Sequence, residues 1–576
     1  NQARQVATQI FRPISRKYDL AEHEYPVELD TLKAMMEAME DAGQAASGAT
    51  MGSGGAPKRE GVSNGGNMKS LLNIIETCWG DVGLTLSLPF QGLGNSALAA
   101  VATSEIVDTL DELPGGGAGE VTLTPMARWL IDHADDPADF ADFSQSVVLV
   151  LPTEATDDHL ADVLGAVVTR HPLLASRFTA MGPGGFDRGD FRWDAGLEFD
   201  PRGAMITREV AAEPGTVEFD DAVTRAHRDA LDALDPARGA MLAAVALRPQ
   251  ATGRAQSDGR LVLAIHHLAV DAVSWQPLIS DLSAAWARVA AGEPASNDTL
   301  GEGTSYRRWA HVLADLPVTD RALEFWERQL SADGPALGAL FDRDRDRMST
   351  ERAVRIDVAA DTTASLVADV VAAFGSRVDD VLVGALAVAI DSVRRSEGDA
   401  SSDNGVPIML ESHGREESVA PGADLTRTVG WFTSLAPVHV PVDGVDRAAV
   451  IRAIKAVKEF RVQAPDGGLS FGVLEQFAPV TASKLTLPAV NFNYFGSAAA
   501  DGSEAGAAPA FGTAPETYEL PPTLTGRMVS PAELSVNSAV NVVDGVRKLQ
   551  ARFTFPEAVL DETTVDDLAH RWIEIL

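Results

Sequence analysis

From about residue 120 to Leu576 the sequence predicts an α/β protein, preceded by a partial all-α segment. Three observations carry that expectation. Strand-like and helix-like segments alternate along the whole stretch, as in sheets covered by helices. A Gly-rich linker, placed at 107–119 around Leu113-Pro114-Gly115-Gly116-Gly117, sets it apart from what precedes. Residues 1–106 read instead as helices over 4–18, 28–40, 68–79 and from Ala97, with Leu32, Met35, Met36 and Met39 at helical spacing. Between them, 43–67 is a Gly/Ala/Ser-rich loop with little apolar content. Beyond the linker, 261–265 is a short apolar run that fits a buried strand, and the chain from Pro277 to Val289 continues as a helix. The runs 406–410 and the one opening at Val490 are further strands.

At 576 residues the chain exceeds one core and suggests roughly three or four domain-sized units. It starts at Asn1 and closes on Trp572-Ile573-Glu574-Ile575-Leu576, and so reads as a segment of something longer. A net charge of −36 argues against a nucleic-acid partner, whose phosphates call for clustered Lys and Arg. The single cysteine, Cys78, excludes internal disulfides and a cysteine-rich metal site, which fits a reducing cytoplasm. No apolar run reaches the roughly 18 residues of a membrane span; 381–390 comes nearest, and Asp391 closes it. The eleven histidines show no zinc-ligand spacing, so no metal is expected.

The most informative stretch is His266-His267-Leu268-Ala269-Val270-Asp271-Ala272-Val273-Ser274-Trp275, at the point where a strand gives way to a turn and a helix. Neighbouring side chains at a strand end point to opposite sides, so one histidine of the pair is expected to face a cleft. Five further segments accompany it in order: 123–130, Arg170-His171-Pro172, 304–310, Glu411-Ser412-His413-Gly414-Arg415-Glu416, and Arg427-Thr428-Val429-Gly430-Trp431-Phe432-Thr433. Val490-Asn491-Phe492-Asn493-Tyr494-Phe495-Gly496 closes the series.

This ordered set resembles the epimerization domains of nonribosomal peptide synthetases, over about residues 120–576. Condensation domains of the same synthetases share His-His-x-x-x-Asp. Ala272, the Ser274-Trp275 extension, Glu411 before His-Gly-Arg-Glu and the form of 427–433 favour epimerization. Ser412, Phe495 and the loose segment 465–472 depart from the family pattern. The resemblance implies two lobes like chloramphenicol acetyltransferase, at 120–292 and 303–576, set in a V with a tunnel between them. It further implies an isomerase that inverts the Cα centre of an aminoacyl or peptidyl residue, held as a thioester on the 4′-phosphopantetheine of a carrier protein.

Inverting that carbon requires a base on one face, an acid on the other and donors near the thioester oxygen. By the resemblance, His267 and Glu411 are the two proton-handling groups, their order left open. Tyr494 is expected to turn inward as a donor, in preference to Asn493. Asp271 is expected to hold the turn through a salt bridge to an arginine, with Ser274 and Arg415 in support. Trp275, Trp431 and Phe432 are expected to shape the tunnel, and His266, His171 and His413 to be structural. No intrinsic cofactor is expected. The carrier is expected in trans or on a missing segment, alongside other synthetase domains. Amide-bond formation by a condensation domain and an inactive fusion remnant are the alternatives.

Within residues 1–106, the segments 11–19, Cys78-Trp79-Gly80-Asp81-Val82-Gly83-Leu84 and 101–105 resemble the N-terminal helical domain of actinobacterial acyl-CoA dehydrogenases. That implies a truncated piece without a working FAD site. Gly92-Leu93-Gly94-Asn95-Ser96 lacks the preceding strand of a dinucleotide loop. It also matches the serine of a carrier protein, although 28 residues between Ser96 and Pro125 leave little room for the remaining carrier helices.

Overall fold

The structure, a computed structural model, describes residues 110–181, 191–250, 258–296, 302–330, 337–396, 405–477, 487–497, 510–521, 526–543 and 545–576. The expectations for 1–106, Cys78 and Ser96 included, lie outside the described residues.

The first half of the described chain runs β1 (Gly119–Glu120), α1 (Pro125–Asp132), β2 (Ser144–Leu151), α2 (Asp157–Arg170), β3 (Arg177–Ala180), β4 (Phe191–Ala195), β5 (Met205–Val210), α3 (Val217–Asp232), β6 (Leu242–Pro249), β7 (Gly259–His266) and α4 (Trp275–Ala290). Four strands form a sheet in the order β2-β7-β6-β5, and β1-β4-β3 form a small second one. The near-continuous apolar runs of β2, β6 and β7 follow from burial on both faces. Val148, Val150, Val245, Val262 and Ala264 point toward Phe219 and Val223 of α3 in one cluster. Their alternates Leu149, Ala244, Leu261, Leu263 and Ile265 join Leu164 of α2 and Leu282 of α4 in another. Each such Val, Leu or Ile contributes about 1.5–3 kcal/mol by leaving water.

The second half runs α5 (Tyr306–Asp315), α6 (Asp320–Leu330), β8 (Glu351–Asp357), α7 (Val378–Ser396), β9 (Val406–Ser412), β10 (Ser434–Val440), α8 (Arg447–Gln463), α9 (Leu469–Phe477), β11 (Val490–Ser497), β12 (Leu534–Val543), β13 (Val546–Pro556) and α10 (Glu562–Ile575). Its six-stranded sheet has the order β10-β9-β11-β12-β13-β8, with β11 parallel to both neighbours and the rest antiparallel. The run 381–390, the most apolar of the chain, lies inside α7 and is buried against this sheet. Among the described residues no helix is long and apolar enough to cross a membrane.

The two sheet-rich lobes are fastened together within one unit that spans 110–576. Residues expected as a plain linker are bound rather than loose. The Glu112 carboxylate accepts from the Ser305 N–H at 2.5 Å and its hydroxyl at 2.8 Å, at the start of α5. Arg307 donates to Pro114 O and Gly116 O at 3.1 and 3.0 Å. Tyr306, Trp309 and Leu313 of α5 pack in the first core. Late in the chain, residues 511–514 return to the free edge of β2: Val150 N–H donates to Gly512 O at 2.9 Å, and Phe511 and Ala514 N–H groups donate to Val150 O and Val148 O.

Candidate active site

The chain turns out of β7 immediately after His266. A 3-10 turn covers His267–Ala269, and Val270 is extended. The His267 N–H donates to Phe143 O at 2.8 Å, carrying the β2–β7 ladder one step further. The two imidazoles then part, as the alternation of a strand end requires. His266 is fully buried; its Nε2 donates to Phe140 O at 2.7 Å and its Nδ1 accepts from the Leu268 N–H at 3.2 Å. Burial pushes it down to about 4, so it is a neutral ring with both nitrogens used. His267 faces a cavity of about 200 Å³ between the two sheets. Its ring stacks on Phe143 at 5.1 Å and lies 4.4 Å from Trp431. Burial lowers its pKa, with the Asp271 charge opposing.

Asp271 does not reach the cavity. Its carboxylate takes both guanidinium arms of Arg415, at 2.7 and 3.0 Å, and accepts from Phe432 N–H at 3.1 Å. It also accepts from the N–H and hydroxyl of Ser274 at 2.8 and 2.7 Å, which closes the turn into α4. Ser274 Oγ accepts in turn from Gly430 N–H and from Arg415. The Arg415 guanidinium lies 4.1 Å over the Phe432 ring. Three segments far apart in sequence are thereby locked around one ion pair.

The opposite lobe supplies the other wall. Glu411, near the end of β9, lines the same cavity, and burial pushes its carboxyl up to about 7, the Asp271 charge adding to the effect. Asn491 and Asn493 of β11 and Ser535 and Asn537 of β12 line it as well. The parallel register that sets Asn491 against Met409 carries Asn493 to the level of Glu411 on the same face. Glu351 of β8, raised by burial and accepting from Ser530 Oγ at 2.6 Å, completes a polar side. Trp129, Phe143 and Trp431 form the apolar side.

The structure corrects the expectation for β11. Tyr494, not Asn493, turns away from the cavity: it shares its side of the strand with Val490 and Phe492, packs against the second core and sets its hydroxyl 3.3 Å from Ser497 Oγ. Trp275 is more than packing, since its indole N–H donates to Gln145 Oε1 at 2.9 Å. His413 is exposed and accepts from the Arg415 N–H at 3.0 Å. His171 is buried between Asp281 at 2.9 Å and Glu302 at 2.8 Å. Burial pulls its pKa down, but the two carboxylates outweigh that and raise it. Gln145, Asn491, Asn537 and Glu351 escaped the sequence reading. The signal for Gln145 was its parity: it continues the apolar stripe Val147, Leu149, Leu151, where a polar side chain is out of place. Among the described residues no cluster of three or more potential metal ligands occurs.

A family model described as a condensation domain matches residues 241–576, more than half of the chain. The chain belongs to the condensation domain family. A linear gramicidin synthase of Brevibacillus parabrevis is 29% identical over 528 residues, covering 88% of this chain and 6% of the relative. Chondramide synthase cmdD of Chondromyces crocatus is 30% identical over 498 residues, covering 85% and 12%. This condensation-family chain thus spans a small part of the length of its curated relatives. Among solved structures, the epimerization domain from the third module of tyrocidine synthetase B aligns with a TM-score of 0.63 at 21% identity, covering 80% of this chain and 97% of that one. The condensation domain of the Monacolin K polyketide synthase MokA aligns with a TM-score of 0.55 at 15% identity, covering 80% and 97%. At these identities the likeness establishes the fold: a mixed α/β condensation-domain architecture with two sheet-rich lobes.

Proposed function

We propose that residues 110–576 epimerize the Cα centre of an aminoacyl or peptidyl residue carried as a phosphopantetheine thioester. The observation that carries this is one cavity lined by an imidazole from the first lobe and a protonatable carboxyl from the second. His267, neutral, and Glu411, with a carboxyl near 7, are a base and an acid that can exchange roles around neutrality. One takes the Cα proton, and the other returns one to the far face. The resulting enolate needs donors, and the amides of Asn491 and Asn493 stand on the wall beside Glu411. The pantetheine arm lets the substrate enter while its carrier stays outside.

The test offers a carrier-bound L-aminoacyl or dipeptidyl thioester in deuterated water. Deuterium at Cα together with D product supports epimerization. The alternative within the family is amide-bond formation, and consumption of a free acceptor amine without Cα exchange would establish it instead.

For residues 1–109 two readings stand, a truncated dehydrogenase piece and a carrier. Similarity to the linear gramicidin synthase covers 88% of the chain, whereas residues 110–576 are 467 of 576, or 81%, so it extends into the first hundred residues. In the carrier reading Ser96 is the attachment point of the arm. Intact-mass measurement after treatment with coenzyme A and a phosphopantetheinyl transferase reads this directly; no mass gain, or gain at another residue, rejects it.

A further inference from the structure

The hydrogen bonds around Gln145 bear on a question the proposed function leaves open, namely the protonation form in which His267 enters the reaction. His267 Nε2 lies 3.1 Å from the amide nitrogen of Gln145. The Gln145 oxygen lies 2.9 Å from the indole nitrogen of Trp275. An indole N–H only donates, so the amide atom facing it must be the oxygen. That leaves the amide NH₂ toward His267, and an NH₂ also only donates. His267 Nε2 must therefore hold a lone pair, and the ring hydrogen of the neutral form belongs to Nδ1. Protonating Nε2 would set two N–H groups against each other at 3.1 Å. Flipping the amide to relieve them would set its NH₂ against the indole N–H.

We infer that Gln145, oriented by Trp275, is a positioning residue that holds His267 in its neutral, Nδ1–H form. This rests on the epimerase reading, and within it His267 enters the reaction as a neutral ring whose Nε2 lone pair is held by the Gln145 amide. The charged and titratable groups around His267 are few. Asp271 favours its protonation but is paired with Arg415 at 2.7 Å. His266 is a neutral neighbour. Glu411 and Glu351 share the cavity, both with raised carboxyls. The other elements against the ring contribute Phe143 and Trp431.

The test is nitrogen NMR of the full chain labelled in histidine, with His267→Asn assigning the resonance. The wild type is expected to show Nε2 unprotonated and a titration midpoint below that of a free histidine. In Gln145→Glu one carboxylate oxygen still accepts from Trp275 and the other accepts from Nε2. The hydrogen should move to Nε2, and the midpoint should rise by roughly one to three pH units. The acidic limb of the Cα exchange rate should move up by the same interval. Gln145→Met, of similar size and without a donor, should release the tautomer preference while leaving the thermal midpoint near that of the wild type. A protonated Nε2 in the wild type, or a tautomer and midpoint indifferent to both substitutions, overturns the inference. So does an exchange profile that stays put while the midpoint moves. If the NMR behaves as expected and no variant, wild type included, exchanges Cα hydrogen, the tautomer assignment stands and the epimerase reading falls.

Discussion

Replacing Arg415 with Met separates a structural from a chemical role for the ion pair beneath the site. The Asp271 and Arg415 side chains are 5% and 9% exposed, so the substitution strands a desolvated carboxylate. Breaking a buried pair from one side costs about 3–5 kcal/mol. Asp271 keeps three donors, the Ser274 N–H and hydroxyl and the Phe432 N–H, which moderates the loss. The guanidinium contact with Phe432 is lost as well, adding about 1 kcal/mol. The expected destabilisation is therefore near the lower end, about 3–4 kcal/mol in urea unfolding. Asp271→Asn in the same background should recover much of it, because no charge is then stranded; the two changes should be markedly less than additive. Additive losses, or abolished Cα exchange with unfolding unchanged, would refute the structural assignment and make Arg415 a chemical participant.

Glu411→Gln should lower Cα exchange by about 10²-fold or more. Burial raises the Glu411 carboxyl from 4.5 to about 7, so its ionisation opposes folding above that range. The Gln variant should therefore unfold later than wild type at about pH 8, with the gap closing toward about pH 4.5; a variant less stable at the alkaline end contradicts this. Asn493→Ala should slow exchange by about 10²-fold as an enolate donor is removed, while Tyr494→Phe should leave it near wild type; the reverse order in steady-state assays would restore Tyr494 to the site. The raised pKa of His171 stabilises the fold fully below 6.5, and that stabilisation fades as pH climbs through the folded value. His171→Asn should thus cost more stability at about pH 6 than at about pH 9, and an equal cost at both by denaturant unfolding would show that the ring is not charged.

Much of this site was legible because its chemistry is concentrated in short segments. The strand-to-turn position of His267 followed from 261–265, and the departure of His266 followed from alternation alone. Glu411 was visible as a carboxylate at the end of a strand. Tyr494 was misplaced because family likeness was set against local pattern: Val490 and Phe492 share its parity and are core residues, and that favoured the core side for Tyr494 too. Gln145 carried the opposite signal, a polar residue on an apolar stripe, which period-2 bookkeeping exposes once the stripe is drawn. Other features have no local trace. Nothing near Glu112 announces that its carboxylate will bind Ser305, and nothing in 511–514 announces that it will pair with an edge strand far earlier in the chain. Such pairings are selected by the closed structure as a whole.

The ribbon formed by residues 511–514 along β2 also governs the order of assembly. Strand β2 is made early in synthesis, yet its outer edge stays unsatisfied until the chain beyond residue 510 arrives. An open edge of apolar strand invites pairing with other molecules, so the nascent first sheet is exposed to misassociation until residues 511–514 have been made. Once the late segment docks, pulling the halves apart would mean peeling a row of backbone hydrogen bonds. The clasp therefore closes late, after both cores it joins have begun to form.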